Sequence, residues 1–147
     1  MIRLNNIIKN YRTSAVETAA LANVSLEIAM GEFVAIMGPS GCGKSTLLNI
    51  IGMIDTPSGG EYEFCGEDIA AYPEGRLAQL RKQNLGFIFQ SFNLLDDLTV
   101  YENIELPLLY QNVPRSQRRG RVREVLELVG LEARSGHKPA QLSGGQQ

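Results

Sequence analysis

Eight consecutive residues, Gly38, Pro39, Ser40, Gly41, Cys42, Gly43, Lys44 and Ser45, satisfy the pattern G-x-x-x-x-G-K-[ST], and Thr46 follows directly. Gripping a triphosphate takes many N–H groups aimed at one small volume, together with a mobile positive charge. Glycines in such a run let the backbone curl tightly enough to present those groups. A helix starting near Lys44 adds the positive end of its dipole. Lys44 is then placed to reach the β- and γ-phosphates, and the Ser45 hydroxyl to take one position on Mg²⁺. Pro39, Ser40 and Cys42 fill the variable positions. Cys42 is expected to be sensitive to alkylation, because the surrounding N–H groups favour its thiolate. The competing reading is a chance match, which should arise in roughly one chain in a hundred of this length. A second stretch, Leu142-Ser143-Gly144-Gly145-Gln146-Gln147, is a Gly-rich turn with a hydroxyl in front of it.

The elements around the first motif argue against chance. Phe33 to Met37 is a continuous apolar run, which predicts a strand buried on both faces as in a parallel sheet. It leads into the glycines, and a helix is expected from about Lys44 to Met53. Strand, Gly-rich loop and helix is the order a phosphate loop requires. Upstream, residues 2–11 ending at Tyr11 and Leu21 to Ile28 read as strands, with Val24, Leu26 and Ile28 on one face. Thr56 to Gly60 is a turn, and Glu61 to Phe64 a short strand. Residues 74–83 look helical, and Leu85 to Phe89 reads as another buried strand, ending at Gln90. Thr99 and Glu102 form a capping box for a helix to about Pro107. A further helix is expected from about Pro114 to Val129, stopped by Gly130.

The bulk composition is that of one domain: 147 residues, 44% hydrophobic, net charge −2. That charge gives no general attraction to nucleic acid or anionic lipid, so no nucleic-acid partner is expected. The longest apolar cluster, Leu47 to Ile54, is broken by Asn49 and Gly52, far short of the roughly 20 residues a bilayer-crossing helix needs. Met1 to Asn6 lacks the layout of a signal peptide. A cytoplasmic chain is expected. Cys42 and Cys65 lack C-x-x-C spacing and read as free thiols. The single histidine, His137, reads as a loop residue. Arg115, Arg118, Arg119, Arg121 and Arg123 read as a solvated helix face diluted by Glu124 and Glu127, against a contact with lipid headgroups or RNA.

Across nearly its whole length the sequence resembles the ATP-binding subunits of ABC transporters. The carriers are the phosphate loop, Tyr11, Gln90 and Leu142–Gln147. More narrowly it resembles the lipoprotein-release and macrolide-export group, through Gly52–Gly60, Leu85–Leu95, Glu102–Leu108, Val129–Glu132 and Pro139–Gln147. The resemblance implies an α/β P-loop NTPase core with an N-terminal antiparallel β subdomain and a partial α-helical subdomain. It places residues 1–92 in the nucleotide-binding core, incomplete for want of the Walker B strand, and 93–147 in the helical part. It implies ATP and Mg²⁺ as ligands, with Tyr11 stacking on adenine and Gln90 touching Mg²⁺ and the attacking water. Thr13 and Ser14 stand where the family often has glycine.

Leu142, Ser143, Gly144, Gly145 and Gln146 would, by the same resemblance, meet the γ-phosphate of ATP held by a second subunit in a head-to-tail homodimer. A Ser N-cap followed by bare glycine amides is a physically sound anion site. A membrane permease subunit is the implied partner, on the inner face of the cell membrane. Phe92, Leu94 and Leu95 read equally as its socket or as part of the helical core. The Walker B carboxylates and the switch histidine have no counterpart, so no catalytic residue is expected in this chain. It looks like the N-terminal two thirds of a subunit, binding nucleotide without turning it over. Competing readings are a soluble ABC-type ATPase, a non-catalytic nucleotide-binding fragment and a P-loop kinase; the last has no use for Ser143-Gly144-Gly145.

Overall fold

The computed structural model describes residues 1–12 and 16–147, which form two compact units, Met1–Gly86 and Phe87–Gln147. In the first, β1 (Ile2–Arg12), β2 (Glu17–Ile28), β3 (Gly59–Phe64) and β4 (Glu67–Asp68) pair antiparallel in the order β2-β1-β3-β4. Two helices, α1 (Lys44–Ile51) and α2 (Glu74–Asn84), complete the unit. Leu4, Ile7 and Leu21 from the sheet meet Leu47, Ile50 and Met53 at α1 and Leu77 of α2 in one core.

The expected strands form, with irregularities that alternation alone does not reveal. Leu4 and Ile7 are both buried although three residues apart, and Leu21 and Val24 likewise face inward. Between them Asn6 and Asn23 take positive φ values of 50° and 53°, and the β1–β2 register shifts between Leu4 and Ile7. An extra residue at each point reverses the alternation and keeps the apolar set on one face. β2 also begins four residues before its apolar pattern, because Thr18 and Glu17 pair with Tyr11 and Arg12.

Two expected buried strands do not form. Residues 33–37 and 85–89 join no sheet among the described residues. Phe33 and Met37 are 95% and 88% exposed, and Ile88 is fully exposed. Ile36, between the first two, packs against the core, so that run is half-buried, with one face turned out. A doubly buried strand needs hydrogen-bonding neighbours along both edges and a covering layer on each face. Apolar content by itself supplies neither. Phe87 and Phe89 instead stack on each other, ring centroids 5.8 Å apart.

In the second unit α3 (Val100–Tyr110) and α4 (Arg115–Leu128) pack around Val100, Val122, Leu126, Leu131 and Leu142. All four amides at the start of α3 are satisfied. Val100 and Tyr101 donate to the His137 and Ser135 carbonyls at 2.8 and 2.9 Å, and Asn103 to the Thr99 carbonyl at 2.9 Å. Glu102 donates to Thr99 Oγ1 at 3.2 Å, while its own carboxylate takes the Thr99 N–H at 2.7 Å. Those bonds from Thr99 hold the Glu102 carboxyl below its ordinary range. The helix passes Pro107 and ends three residues beyond the expected stop. An interior proline costs roughly 3 kcal/mol, and burial of Ile104 and Leu108 against the core works against it.

Gly130 ends α4 in the left-handed region at φ 69°. Its amide reaches the Glu127 carbonyl, and that of Leu131 reaches Leu126, the paired bonds of a Schellman turn. Of the five clustered arginines only Arg118 is half-buried, paired with Glu105 at 2.8 Å; the others are exposed. Replacing Thr99 by alanine should cost about 1 kcal/mol of stability in urea unfolding. Thr99→Ser should cost almost nothing, since it keeps the accepting oxygen.

Candidate functional site

The loop before α1 is curled as a phosphate cradle requires. Gly43, the N-cap of α1, sits at φ 91°. A Cβ there would lie 2.5 Å from the Ala20 carbonyl oxygen and 2.9 Å from Leu21 Cδ2, so only glycine lets α1 start this close to β2. Gly43 offers no side chain to cap the helix, and among the described residues no acceptor meets the amides of Lys44, Ser45 and Thr46. The first protein bond is Leu47 N–H to the Gly43 carbonyl at 2.8 Å. Three donors therefore converge at the positive end of a helix, a ready anion site.

Lys44 lies across that loop. Its Nζ donates to the carbonyls of Gly38 and Pro39 at 2.8 and 2.6 Å and lies 3.7 Å from Cys42 Sγ. The charge is thus held over the cradle by two carbonyls that a phosphate oxygen can replace as acceptors. Ser45 is exposed. A hydroxyl, converging amides and a lysine are the donor set a magnesium–triphosphate complex calls for, so the residues fit both ligands. Cys42 and Cys65 are both free and exposed.

The opposite end of α1 is fully bonded. The Leu48, Asn49 and Ile50 carbonyls take the amides of Gly52, Ile54 and Met53. Ile51 takes the Tyr62 hydroxyl at 2.7 Å. Arg81 reaches the Met53 carbonyl while pairing with Glu74 at 2.9 Å. Met53 holds the left-handed position at φ 56° while completely buried, which explains why the helix ends short of it. Burial pushes the Tyr62 phenol well up, with the nearby Cys65 thiol adding to it, so it remains a hydrogen-bond donor throughout the neutral range.

Tyr11 stands at the end of β1 opposite Thr18, two residues from the Ala20 that touches Gly43. That is about 7 Å along the strand. The residue is 42% exposed, and its hydroxyl donates to Asp55 at 2.9 Å. Asp55 and its partner Lys9 join Tyr11 through contacts that one-dimensional spacing conceals; only folding brings the turn after α1 beside β1. Partial burial pushes the Asp55 carboxyl up, but bonds from Lys9, Tyr11 and the Thr56 amide outweigh it and hold it below the ordinary value. Thr13 and Ser14 lie outside the described residues.

Gln90 and the 142–146 stretch belong to the second unit. Gln90 is exposed in a turn that follows an extended segment, not a buried strand. Leu94 lines an apolar cleft with Val100, Ile104 and Leu142, while Phe92 and Leu95 are about half exposed. Leu142 is buried, and Ser143, Gly144 and Gly145 are exposed. Gln147 N–H bonds the Ser143 carbonyl at 3.1 Å, a first helical turn, and Gln146 Oε1 accepts the Ser143 N–H at 3.2 Å. Ser143 therefore opens a hydrogen-bonded turn with bare glycines after it.

Gly43→Ala should destabilise the first unit by about 1–3 kcal/mol from backbone strain alone, with the Ala20 contact adding to it in urea unfolding. Asp55, depressed below its ordinary value of about 3.9, contributes stability above that pH and loses it as pH falls through the folded value. Its carboxyl resonance in NMR should accordingly titrate below pH 3.9, and a higher midpoint would contradict the bonded geometry.

Residues 21–147 match the ABC transporter family. The chain is 48% identical over its whole length to "Macrolide export ATP-binding/permease protein MacB" of an Azoarcus species, of which it spans 22%. It is 49% identical, over 99% of its length, to the ABC transporter ATP-binding protein YvrO of Bacillus subtilis, of which it spans 64%. Among solved structures, the dimeric ATP-binding cassette MJ0796 bound to ADP and Pi superposes with a TM-score of 0.88 at 45% identity. That match covers 99% of this chain and 65% of the cassette. The chain spans less than two thirds of each of these relatives. With its curled phosphate loop, its antiparallel sheet and this match over 127 of 147 residues (21–147), the chain belongs to the ABC transporter family.

Proposed function

We propose that the chain is the ATP-binding portion of a transport ATPase of the export type. The observation that carries this is the set of amides at Lys44, Ser45 and Thr46 left without acceptors among the described residues, under a lysine held by the loop's own carbonyls. Gly38 to Thr46 wrap the phosphates of ATP. Magnesium, held by Ser45 and Gln90, would neutralise charge on the phosphate oxygens. Tyr11 offers its exposed ring to the adenine, a contact of about 1–3 kcal/mol.

Leu142, Ser143, Gly144, Gly145 and Gln146 serve the nucleotide of a sister subunit in a head-to-tail pair, the glycine amides meeting its γ-phosphate. Residues 1–92 act as the nucleotide core and 93–147 as the helical part. Phe92 and Leu95, exposed beside Gln90, receive a permease subunit at the inner face of the membrane. Among the described residues no helix is long and apolar enough to cross a membrane itself. The exposed faces of 33–37 and 85–89 fit this reading, since such runs become central strands once parallel neighbours pair with them.

Hydrolysis needs a group beside the γ-phosphate that orients or deprotonates water. Among the described residues no carboxylate or imidazole bonds to the 38–46 loop, and on this reading the 147 residues bind ATP without turning it over. Calorimetry should detect magnesium–ATP binding that weakens at least about tenfold in Lys44→Ala, the loss of one charged contact to phosphate. Binding indifferent to Lys44→Ala would contradict the cradle. Phosphate release abolished by Lys44→Ala would contradict the absence of turnover.

A further inference from the structure

Lys9 and Tyr11 are two residues apart on β1, so their side chains leave the strand on the same face. The Tyr11 hydroxyl donates to Asp55 Oδ2 at 2.9 Å. Asp55 Oδ1 takes the Lys9 ammonium at 2.6 Å and the Thr56 N–H at 2.8 Å. Lys9 Nζ donates again to the Thr56 carbonyl at 2.8 Å and lies over the Tyr11 ring, 5.0 Å from its centroid. Asp55 is itself tied down, its amide donating to the Asn49 carbonyl of α1 at 3.2 Å. The circuit is partly closed to water: the Lys9 and Asp55 side chains are 11% and 28% exposed.

These contacts do two things to the ring. The hydroxyl tether fixes its tip, and with it the tilt of the ring plane. The ammonium covers one face, so a planar ligand has only the other. A tyrosine that merely ended a strand would need neither. A ring held in advance also spares the ligand the cost of immobilising it, about 0.5–1.5 kcal/mol for one side chain. The carboxylate hangs from the C-terminal end of α1, whose N-terminal end carries the phosphate cradle. One rigid helix therefore sets both the phosphate end and the ring.

We propose that Lys9 and Asp55 are positioning residues for the nucleobase, locking Tyr11 so that a single ring face is offered to it. This rests on the reading of Tyr11 as the base platform. Neither residue touches the nucleotide; both act through the ring. The consequence is a defect confined to ligands that carry a base.

Affinities of ATP and of inorganic tripolyphosphate, each with magnesium, separate the possibilities by calorimetry on the full chain. Tyr11→Leu should weaken ATP by roughly tenfold, the size of one base–ring stack, and leave tripolyphosphate unchanged. Asp55→Ala, Lys9→Met and Tyr11→Phe should each weaken ATP by roughly threefold, the size of freeing one side chain, again sparing tripolyphosphate. Asp55→Asn, which keeps an acceptor for the hydroxyl, should recover most of that loss. Tyr11→Phe combined with Asp55→Ala should be no weaker than either alone. Equal losses for both ligands would mean damage to the cradle and overturn the positioning role. If Tyr11→Leu matters while Asp55→Ala and Tyr11→Phe do not, the lock is wrong and the platform stands. If Tyr11→Leu leaves the ratio of the two affinities unchanged, the platform falls and the lock with it. Should Asp55→Ala not fold, Tyr11→Phe removes only one hydroxyl and decides the matter alone.

Discussion

Helix α1 is bonded at one end and open at the other, and the remaining features of the first unit depend on that asymmetry. Its last carbonyls are consumed by the Gly52, Met53 and Ile54 amides and the Tyr62 hydroxyl, while Arg81 takes the carbonyl of Met53 just beyond. Among the described residues its first amides have no such partners, because the N-cap is a glycine pressed against the Ala20 carbonyl. A serine or aspartate is the usual cap for such a helix, but at Gly43 its Cβ would strike the Ala20 carbonyl. It would also fill the space that an anion uses. Leu47, Ile50 and Met53 fix the position of α1 against the sheet, so the open end is presented at a constant place beside β2.

The second unit contains a helix start of the opposite kind. α3 has every leading amide satisfied, two of them by carbonyls from the loop at 135–137. That same loop runs on to Leu142, whose burial anchors the exposed Ser143-Gly144-Gly145 turn. Among the described residues the glycine-bearing stretches leave the amides of Lys44 to Thr46 and of Gly144 and Gly145 without protein acceptors. Helices α2 and α4, which begin after Pro73 and Pro114 without a side-chain cap, leave two amides each. His137 contributes backbone bonds to Val100 and Arg134, in keeping with its reading as a loop residue.

Much of this was legible in one dimension where local chemistry decides. The phosphate loop, the Thr99–Glu102 box and the Gly130 stop each depend on a few neighbouring residues, and each lies where its residues indicate. The antiparallel strands were legible in position but not in register, because the bulges at Asn6 and Asn23 answer to packing of Leu4, Ile7 and Leu21. The runs at 33–37 and 85–89 misled for a different reason. Their apolar content records what can cover them, and a ladder requires a partner that sequence composition does not name. Lys9 and Asp55 were invisible because 46 positions separate them. Their roles exist only once the turn after α1 closes on β1.

The most direct test of the open helix end is amide-resolved NMR of the chain titrated with inorganic tripolyphosphate and magnesium. The account requires the largest shifts, and new protection from hydrogen exchange, at the amides of Lys44, Ser45 and Thr46 with smaller changes at Val100 to Asn103. Unmoved resonances at 44–46 in the presence of saturating ligand, or equal shifts spread over both units, would contradict it.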